Sequence, residues 1–304
     1  LLPFLTDYGF MEFVGTTFRN SFRRVFRLPG RSAIDATASW LAAAAVGILI
    51  TIQQYEKGFY SKRESAVIAT NFSITSLPFC VFVVGFIGLE AMFFQVYGTV
   101  VLIGLVAAIV VPRLPPLSRI PDEYHPLVGK QIAESTPQGR SLFGHALDEA
   151  RQRAARGPGP LEFLRTAATH VLDIWFGLLP AVVVVGMAGM ALVEFTPLMH
   201  WLAWPFVPLL ELLQLPEARD AAPTMLVGFF EMFLPAAIGQ DIESELTRFV
   251  IAAVSLTQLI YMSEVGVLLL RSPIPLNFWN LVQIFLLRTL VALPLAATVA
   301  HAIL

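Results

Sequence analysis

Charge is what this sequence has least of. Only 14% of its 304 residues are Asp, Glu, Lys or Arg, against about a quarter in a soluble domain. A chain so poor in charge cannot cover itself with a hydrated surface, which excludes an ordinary soluble domain. The net charge of −2 gives no basis for a nucleic-acid partner. There is one cysteine, Cys80, inside an apolar block, so no intrachain disulfide can form and the residue reads as small buried filler. The five histidines are scattered without metal-ligand spacing. No phosphate-cradling glycine loop and no Ser/His/Asp constellation occurs, which disfavours ATP drive and hydrolysis. Neither an enzyme activity nor a resident cofactor is expected. Alternating ten-residue strands are also missing, which argues against an outer-membrane barrel.

What is present is apolar: 56% hydrophobic residues and a mean hydropathy of +0.71. These residues fall in blocks of ~20 between short charged patches, the pattern of an all-α polytopic membrane protein. Spans are expected at 65–87, 91–111, 175–193, 247–270 and 276–304, with residues 1–13 ending another membrane segment. The start at Leu1 suggests an N-terminal part upstream. Residues 113–160 are polar and rich in Pro, Arg and Gly, with one amphipathic helix in "SLFGHALDEARQRAA". In "FVGTTFRNSFRRVFR", Phe18, Phe22 and Phe26 share one helix face and Arg19, Arg23 and Arg27 another. That reads as an interfacial helix on an anionic leaflet, with a nucleotide-binding patch as the weaker alternative.

The two halves repeat one plan. "RLPGRSAID" at Arg27 lines up with "QLPEARDAA" at Gln214, 187 positions on, and "FSITSL" at Phe72 with "VSLTQL" at Val254, 182 on. If 19–31, 57–63, 113–165 and Arg271 share one side, that side holds 17 of the 20 Lys and Arg, as the positive-inside rule requires. The count works only if residues 32–54 and 221–242 each enter and leave on the same side. Both then read as re-entrant helical hairpins. Such backbone is tolerated at membrane depth where protein or a watery cavity satisfies it. The expected organisation is a first repeat at 1–112, a cytoplasmic polar loop at 113–160 and an inverted second repeat at 161–304. The membrane is the cell (inner) membrane. Transporters built this way bind their cargo near midplane, between the repeats.

Polar residues inside apolar blocks are the site candidates. Glu231 stands in the middle of "TMLVGFFEMFLPAAIG". A carboxylate at that depth costs about 2.5–3.5 kcal/mol and persists with a partner or a function; the alternative is a hydrogen bond stapling the hairpin tip. "VSLTQLIYMSEVG" carries Ser255, Gln258 and Glu264, with Ser255, Gln258 and Tyr261 on one polar helix face. Gln258 suits an amide, carboxylate or base edge, or a helix–helix hydrogen bond. "ATNFSITSLPF" carries Asn71, Ser73 and Thr75 ahead of Pro78, which favours a kink. Ser39 is the polar side chain in the middle of the first hairpin. Asp35 reads as a local partner of Arg31, and Arg288 as the counter-charge of Glu231 or Glu264.

"LPGRSAIDATASW", "YEKGFYSKRESAVIATNFS", "PRLPPLSRIPD", "EMFLPA" and "SEVGVLLLRSPIPLNF" resemble the YjiH-type membrane proteins of the nucleoside-recognition, or Gate, domain group. The resemblance covers nearly the whole chain. It implies a fold similar to the transport core of concentrative nucleoside transporters, with paired hairpins and broken helices around a central site. It leaves the cargo open. The function expected is secondary transport of a small polar organic solute (nucleoside-like, amino acid or dipeptide-like) with a proton or sodium as coupling ion. The alternative is a partner subunit of a membrane transport complex. The partners expected are the lipid bilayer, the solute, and a homo-oligomer or second membrane subunit.

Overall fold

The computed structural model describes residues 9–304 except 11–12, 14–16, 19, 21, 42–43, 73–74, 132–141, 156, 158, 173–174 and 177–178. Among the described residues the protein is helical and has no strands, as its composition requires.

A π-helical turn at Phe22–Phe26 leads into the first helical pair, α1 (Ser32–Leu41) and α2 (Ala44–Glu56). The Phe22 and Phe26 rings lie 5.6 and 5.0 Å from the Phe72 ring. These two phenyls therefore pack on protein, and Phe18 alone of the three stays half exposed. α1 and α2 pack against each other, and Gly47 sets their spacing: a Cβ there would run into Ser39 Oγ and come within 2.8 Å of the Asp35 carbonyl. Asp35 then stitches the pair. Its carboxylate accepts hydrogen bonds from Thr51 Oγ1 at 2.8 Å and Tyr60 OH at 2.6 Å. This corrects the expected partnership with Arg31, whose guanidinium instead lies 4.4 Å over the Phe59 ring.

Ser61 starts α3 (Lys62–Asn71) through a capping box with Glu64, each side chain accepting from the other's backbone N–H. The span expected at 65–87 is not continuous. α3 stops at Asn71 and α4 (Leu77–Phe86) begins after Ser76, with Pro78 in its first turn. Proline lacks the N–H that a first turn leaves unbonded, so here it opens a helix and does not kink one. α5 (Phe93–Val110) follows, then the polar segment with α6 (Leu142–Ala154), the amphipathic helix expected there.

The second half runs through α7 (Pro160–Leu172), α8 (Leu179–Phe195), α9 (Leu198–Ala203) and α10 (Val207–Leu212). α9, α10 and the 3-10 turn Trp204–Phe206 between them bury Met199, Ala203 and Leu210 and expose Trp201 and Trp204. The short helices α11 (Ala218–Ala221), α12 (Thr224–Val227) and α13 (Leu234–Gly239) make the second paired segment. The Ser244 side chain caps α14 (Glu245–Gln258), which breaks at Leu259, resumes as a π-helical turn at Met262–Gly266 and ends in α15 (Val267–Arg271). Ser255, Gln258 and Tyr261 therefore do not share one helical face, because the helix ends between the last two. α16 (Phe278–Ile303) closes the chain behind an Asn277–Asn280 capping box.

Three stretches among the described residues are long and apolar enough to cross a membrane: Glu90–Arg113, Glu245–Arg271 and Phe278–Ile303. They contain α5, α14 and α16, which pack on one another. α8, expected within 175–193, is 17 residues long. Two apolar cores lie along this trio. One gathers Val96–Ile103 of α5 and Ala292–Ala300 of α16 with Ala221, Met225 and Ala236 of the second paired segment. The other gathers Ala107–Val111 and Leu281–Phe285 with Ala36, Ala44 and Ile48 of the first pair. The second paired segment also reaches this core, through Met232, Leu226 and Phe229. Basic segments meet at the first pair's end, where Lys62 Nζ pairs with Glu123 at 2.7 Å and Gln131 N–H donates to the Gly58 carbonyl. The Glu123 carboxylate holds the exposed Lys62 ammonium above the ordinary lysine range.

Candidate functional site

Between the two cores lies Arg288, fully buried in α16. It makes no ion pair among the described residues, which corrects the expected pairing with Glu231 or Glu264. Its partners are the ends of the two interrupted helices. Nε and Nη2 donate to the Thr257 carbonyl at 2.9 and 2.6 Å. Nη1 donates to Asn71 Oδ1 at 2.8 Å and, more weakly, to the Thr70 carbonyl at 3.4 Å. A helix leaves its last carbonyls unbonded and carries partial negative charge at its C-terminus. α3 ends at Asn71 and α14 at Gln258, so one guanidinium satisfies both ends. Two helix C-termini supply the negative potential that a carboxylate would.

Around this node the predicted residues divide. Thr75, between α3 and α4, is buried and donates to the Leu256 carbonyl at 3.0 Å, tying the first break to the last turn of α14. Gln258 Nε2 donates to the Met225 carbonyl at 2.8 Å and Thr289 Oγ1 at 2.9 Å, which is the helix–helix role. Its Oε1 is buried without a hydrogen-bond partner and faces Gly228, where any Cβ would collide with it. Ser255 donates to the Ala252 carbonyl of its own helix and contributes nothing to the node. Ser73 lies outside the described residues. Ser39 Oγ is buried against Gly47 without a partner.

The carboxylates form a second node. Glu264, in the π-helical turn, accepts from Ala45 N–H at 3.2 Å through Oε1 and from Tyr261 OH at 3.1 Å through Oε2. It therefore fastens the start of α2 to the break in α14. Glu231 lies in the turn between α12 and α13 and accepts from Phe233 N–H at 2.6 Å, the hairpin-tip hydrogen bond weighed as its alternative. That turn is docked on the same break, because Met262 and Ser263 N–H groups donate to the Phe229 and Phe230 carbonyls. Both paired segments thus end on the interruption of α14.

A cavity of about 340 Å³ opens beside Arg288. Its lining is mainly apolar, with Val100, Val101, Leu105 and Leu256 beside the aromatic Trp40, Phe72 and Tyr97, while Asn71, Thr257 and Arg288 border it almost fully buried. Trp40 Nε1 donates to Tyr97 OH at 2.7 Å, joining α1 to α5 across the opening. Sequence reasoning missed Trp40, Tyr97 and the Thr257 carbonyl. Aromatic residues do not stand out within apolar blocks, and a carbonyl carries no letter. No group of three or more His, Cys, Asp or Glu among the described residues is placed to hold a metal ion.

Residues 1–90 match the family model Gate, described as nucleoside recognition. An uncharacterized protein of Alkalihalophilus pseudofirmus is 53% identical over 301 residues, 99% of this chain and 65% of that protein. The chain thus spans about two thirds of the length of that relative, just under it. No solved structure matches the chain. The first ninety residues are thus similar to the Gate model, and the described residues add three membrane-length apolar stretches, Glu90–Arg113, Glu245–Arg271 and Phe278–Ile303.

Proposed function

We propose that the protein is a secondary transporter of a small polar organic solute, coupled to a proton or sodium ion and built from two inverted repeats. The observation that carries this reading is the Arg288 node, where two interrupted helices from the two halves end on one buried cation. Several features support the repeat. Arg27 and Gln214, 187 positions apart, both turn the chain through a left-handed conformation, φ 58° and 56°. Each precedes Leu-Pro and a paired segment, then a Ser-capped helix, a break and a long helix. The two paired segments, both bonded to the interruption of α14, read as re-entrant hairpins entering from opposite sides. The basic end is the cytoplasmic one by the positive-inside rule.

Cargo would occupy the cavity at Asn71, Phe72 and Trp40, whose volume falls in the range of small-molecule sites. Aromatic walls with one amide suit a flat, ring-bearing solute such as a nucleoside. Alternating access would move the hairpins and broken helices against α5 and α16. Glu264 and Glu231, each bonded to a hairpin, are the candidate coupling charges. The test is uptake into liposomes by the full-length protein, using labelled nucleosides, amino acids and dipeptides, with and without sodium or a pH gradient. Glu264→Gln and Glu231→Gln should each abolish coupled uptake while leaving the unfolding midpoint near that of the parent. Undiminished coupled uptake in both would reject the carboxylate role. The second reading, a partner subunit inactive alone, is favoured by one observation: the polar groups of Trp40, Tyr97, Asn71 and Arg288 at the cavity already bond within the protein. Absence of uptake for every solute class would move the conclusion there.

A further inference from the structure

The basic end of the molecule holds a second pocket, of about 240 Å³, away from the helix breaks. Arg23, Arg27, Arg31 and Lys130 line it together with Glu64 and Tyr124. The arginines recur at every fourth position, as a helical stripe would, but the π-helical turn ends at Phe26. The left-handed turn at Arg27 then carries Arg27 and Arg31 onto the pocket. The equivalent turn at Gln214 shares the backbone conformation, and the stretch 209–224 around it in sequence carries one cation, Arg219. The turn therefore belongs to the scaffold, and the cations are a local addition.

Two of those cations are held in place by aromatic faces. Arg31 lies 4.4 Å over Phe59, and Lys130 lies 5.4 Å over Tyr124. Among the described residues no ion pair forms on Arg27, Arg31 or Lys130. The one acid in the pocket, Glu64, has an oxygen committed to Ser61 N–H at 2.8 Å, as the cap of α3. Arg27, Arg31 and Lys130 converge on one committed carboxylate and repel one another. The arrangement suits a compact ligand that brings more than one negative oxygen, and forked guanidiniums match the oxygens of a phosphate.

We propose that this pocket binds a phosphate group, either the headgroup phosphate of an anionic lipid or the phosphate of a soluble ion or ester. Bound there, the phosphate would join the entrance of the first paired segment to the start of α3 and to the 120–131 stretch. The full-length protein is placed in nanodiscs of phosphatidylcholine alone and titrated with inorganic phosphate by calorimetry. In parallel it is placed in nanodiscs containing one fifth phosphatidylglycerol, and the retained lipid is counted by native mass spectrometry. Arg31→Gln and Lys130→Gln should each weaken the bound ligand about tenfold, the size of one charge-assisted hydrogen bond. Arg119→Gln, an exposed arginine outside the pocket, should leave it unchanged. Loss of phosphate binding in the variants identifies a soluble ligand, and loss of phosphatidylglycerol retention identifies a lipid. Lys130 lies outside every helix, so its substitution reads the pocket without disturbing a helix. The proposal is overturned if neither phosphate nor phosphatidylglycerol binds in preference to phosphatidylcholine. It is equally overturned if both variants bind as the parent does.

Discussion

Replacing Arg288 with methionine tests the central claim, that one cation holds two helix ends. Methionine fills nearly the same length of space without charge, so packing changes little. What changes is the bonding. The Thr257 carbonyl loses two donors, Asn71 Oδ1 loses one, and the Thr70 carbonyl loses a weaker one. Each buried acceptor left unsatisfied costs about 1–3 kcal/mol. Against this, removing a buried guanidinium relieves a desolvation penalty of several kcal/mol. The relief is incomplete, because the carbonyls stay where water cannot reach them. Three buried acceptors lose donors and the relief offsets part of that cost, so Arg288→Met should cost about 2–4 kcal/mol. Arg288→Lys should recover only part of it, since a single ammonium cannot reach both helix ends with the geometry of the fork. The assay is reversible unfolding in bicelles, run as a double-mutant cycle with Asn71→Leu. Coupling between the two sites should be about 1.5–3 kcal/mol, the value of a hydrogen bond to a charged group. A loss below about 1 kcal/mol for Arg288→Met, with no coupling to Asn71, would refute the reasoning.

Gly47→Ala should destabilise the protein by about 1–3 kcal/mol, the usual cost of overpacking, because its Cβ meets Ser39 Oγ and the Asp35 carbonyl. Adding Ser39→Ala should recover part of that loss in the same unfolding assay, and no recovery would place the clash elsewhere. Tyr60→Phe removes one of two side-chain donors to the buried Asp35 carboxylate and should cost about 1.5–3 kcal/mol; an unchanged midpoint would mean Asp35 does not rely on that bond. Burial holds the Glu64 carboxyl above the ordinary glutamate range, so the folded state binds this proton more tightly than the unfolded state does. Its contribution is complete below the unfolded value and is lost as pH rises through the folded one. Glu64→Gln, which keeps the capping-box pattern, should flatten that part of the stability–pH curve, and an unaltered slope would assign it to another group.

Much of the fold was legible because burial in a bilayer imposes length and polarity rules on the letters. α5 and α16 stand within the runs of apolar residues that mark them, and α6 lies in the one amphipathic stretch of the polar segment. The serine caps are readable too, since Ser61 and Ser244 sit ahead of helices whose first turn holds an acid. The breaks were harder. Pro78 pointed to trouble in the 65–87 stretch, but the chain had already left the helix at Asn71. α14 stops at Leu259 with no proline or glycine to mark it, through a left-handed leucine at φ 59°. Leucine is a good helix former, so nothing local ends that helix. The interruption is a tertiary effect, stabilised by donors arriving from α16 and acceptors from the second paired segment.

The same physics explains what sequence could and could not give of the site. Glu231, Glu264, Asn71 and Gln258 stand out because polar side chains in apolar runs are costly without a partner. Their partners are mostly main-chain atoms: the Ala45 and Phe233 N–H groups, and the Met225 carbonyl. Backbone groups become available only where a helix begins or breaks, and no residue letter records that. Arg288 shows how far the inference can be pushed. A buried cation needs negative potential, and the carboxylates at Glu231 and Glu264 invited a pairing that does not form. Two helix C-termini meet the same need without adding a net charge. They also leave Glu264 with the Ala45 N–H and the Tyr261 hydroxyl instead of a cation. That division has a mechanical consequence. A guanidinium bonded to both breaks resists their separation, whereas the contact of Glu264 with the first paired segment rests on one hydrogen bond of 3.2 Å. Any movement that opens the cavity should therefore separate the paired segment from Glu264 before it pulls either helix end from Arg288.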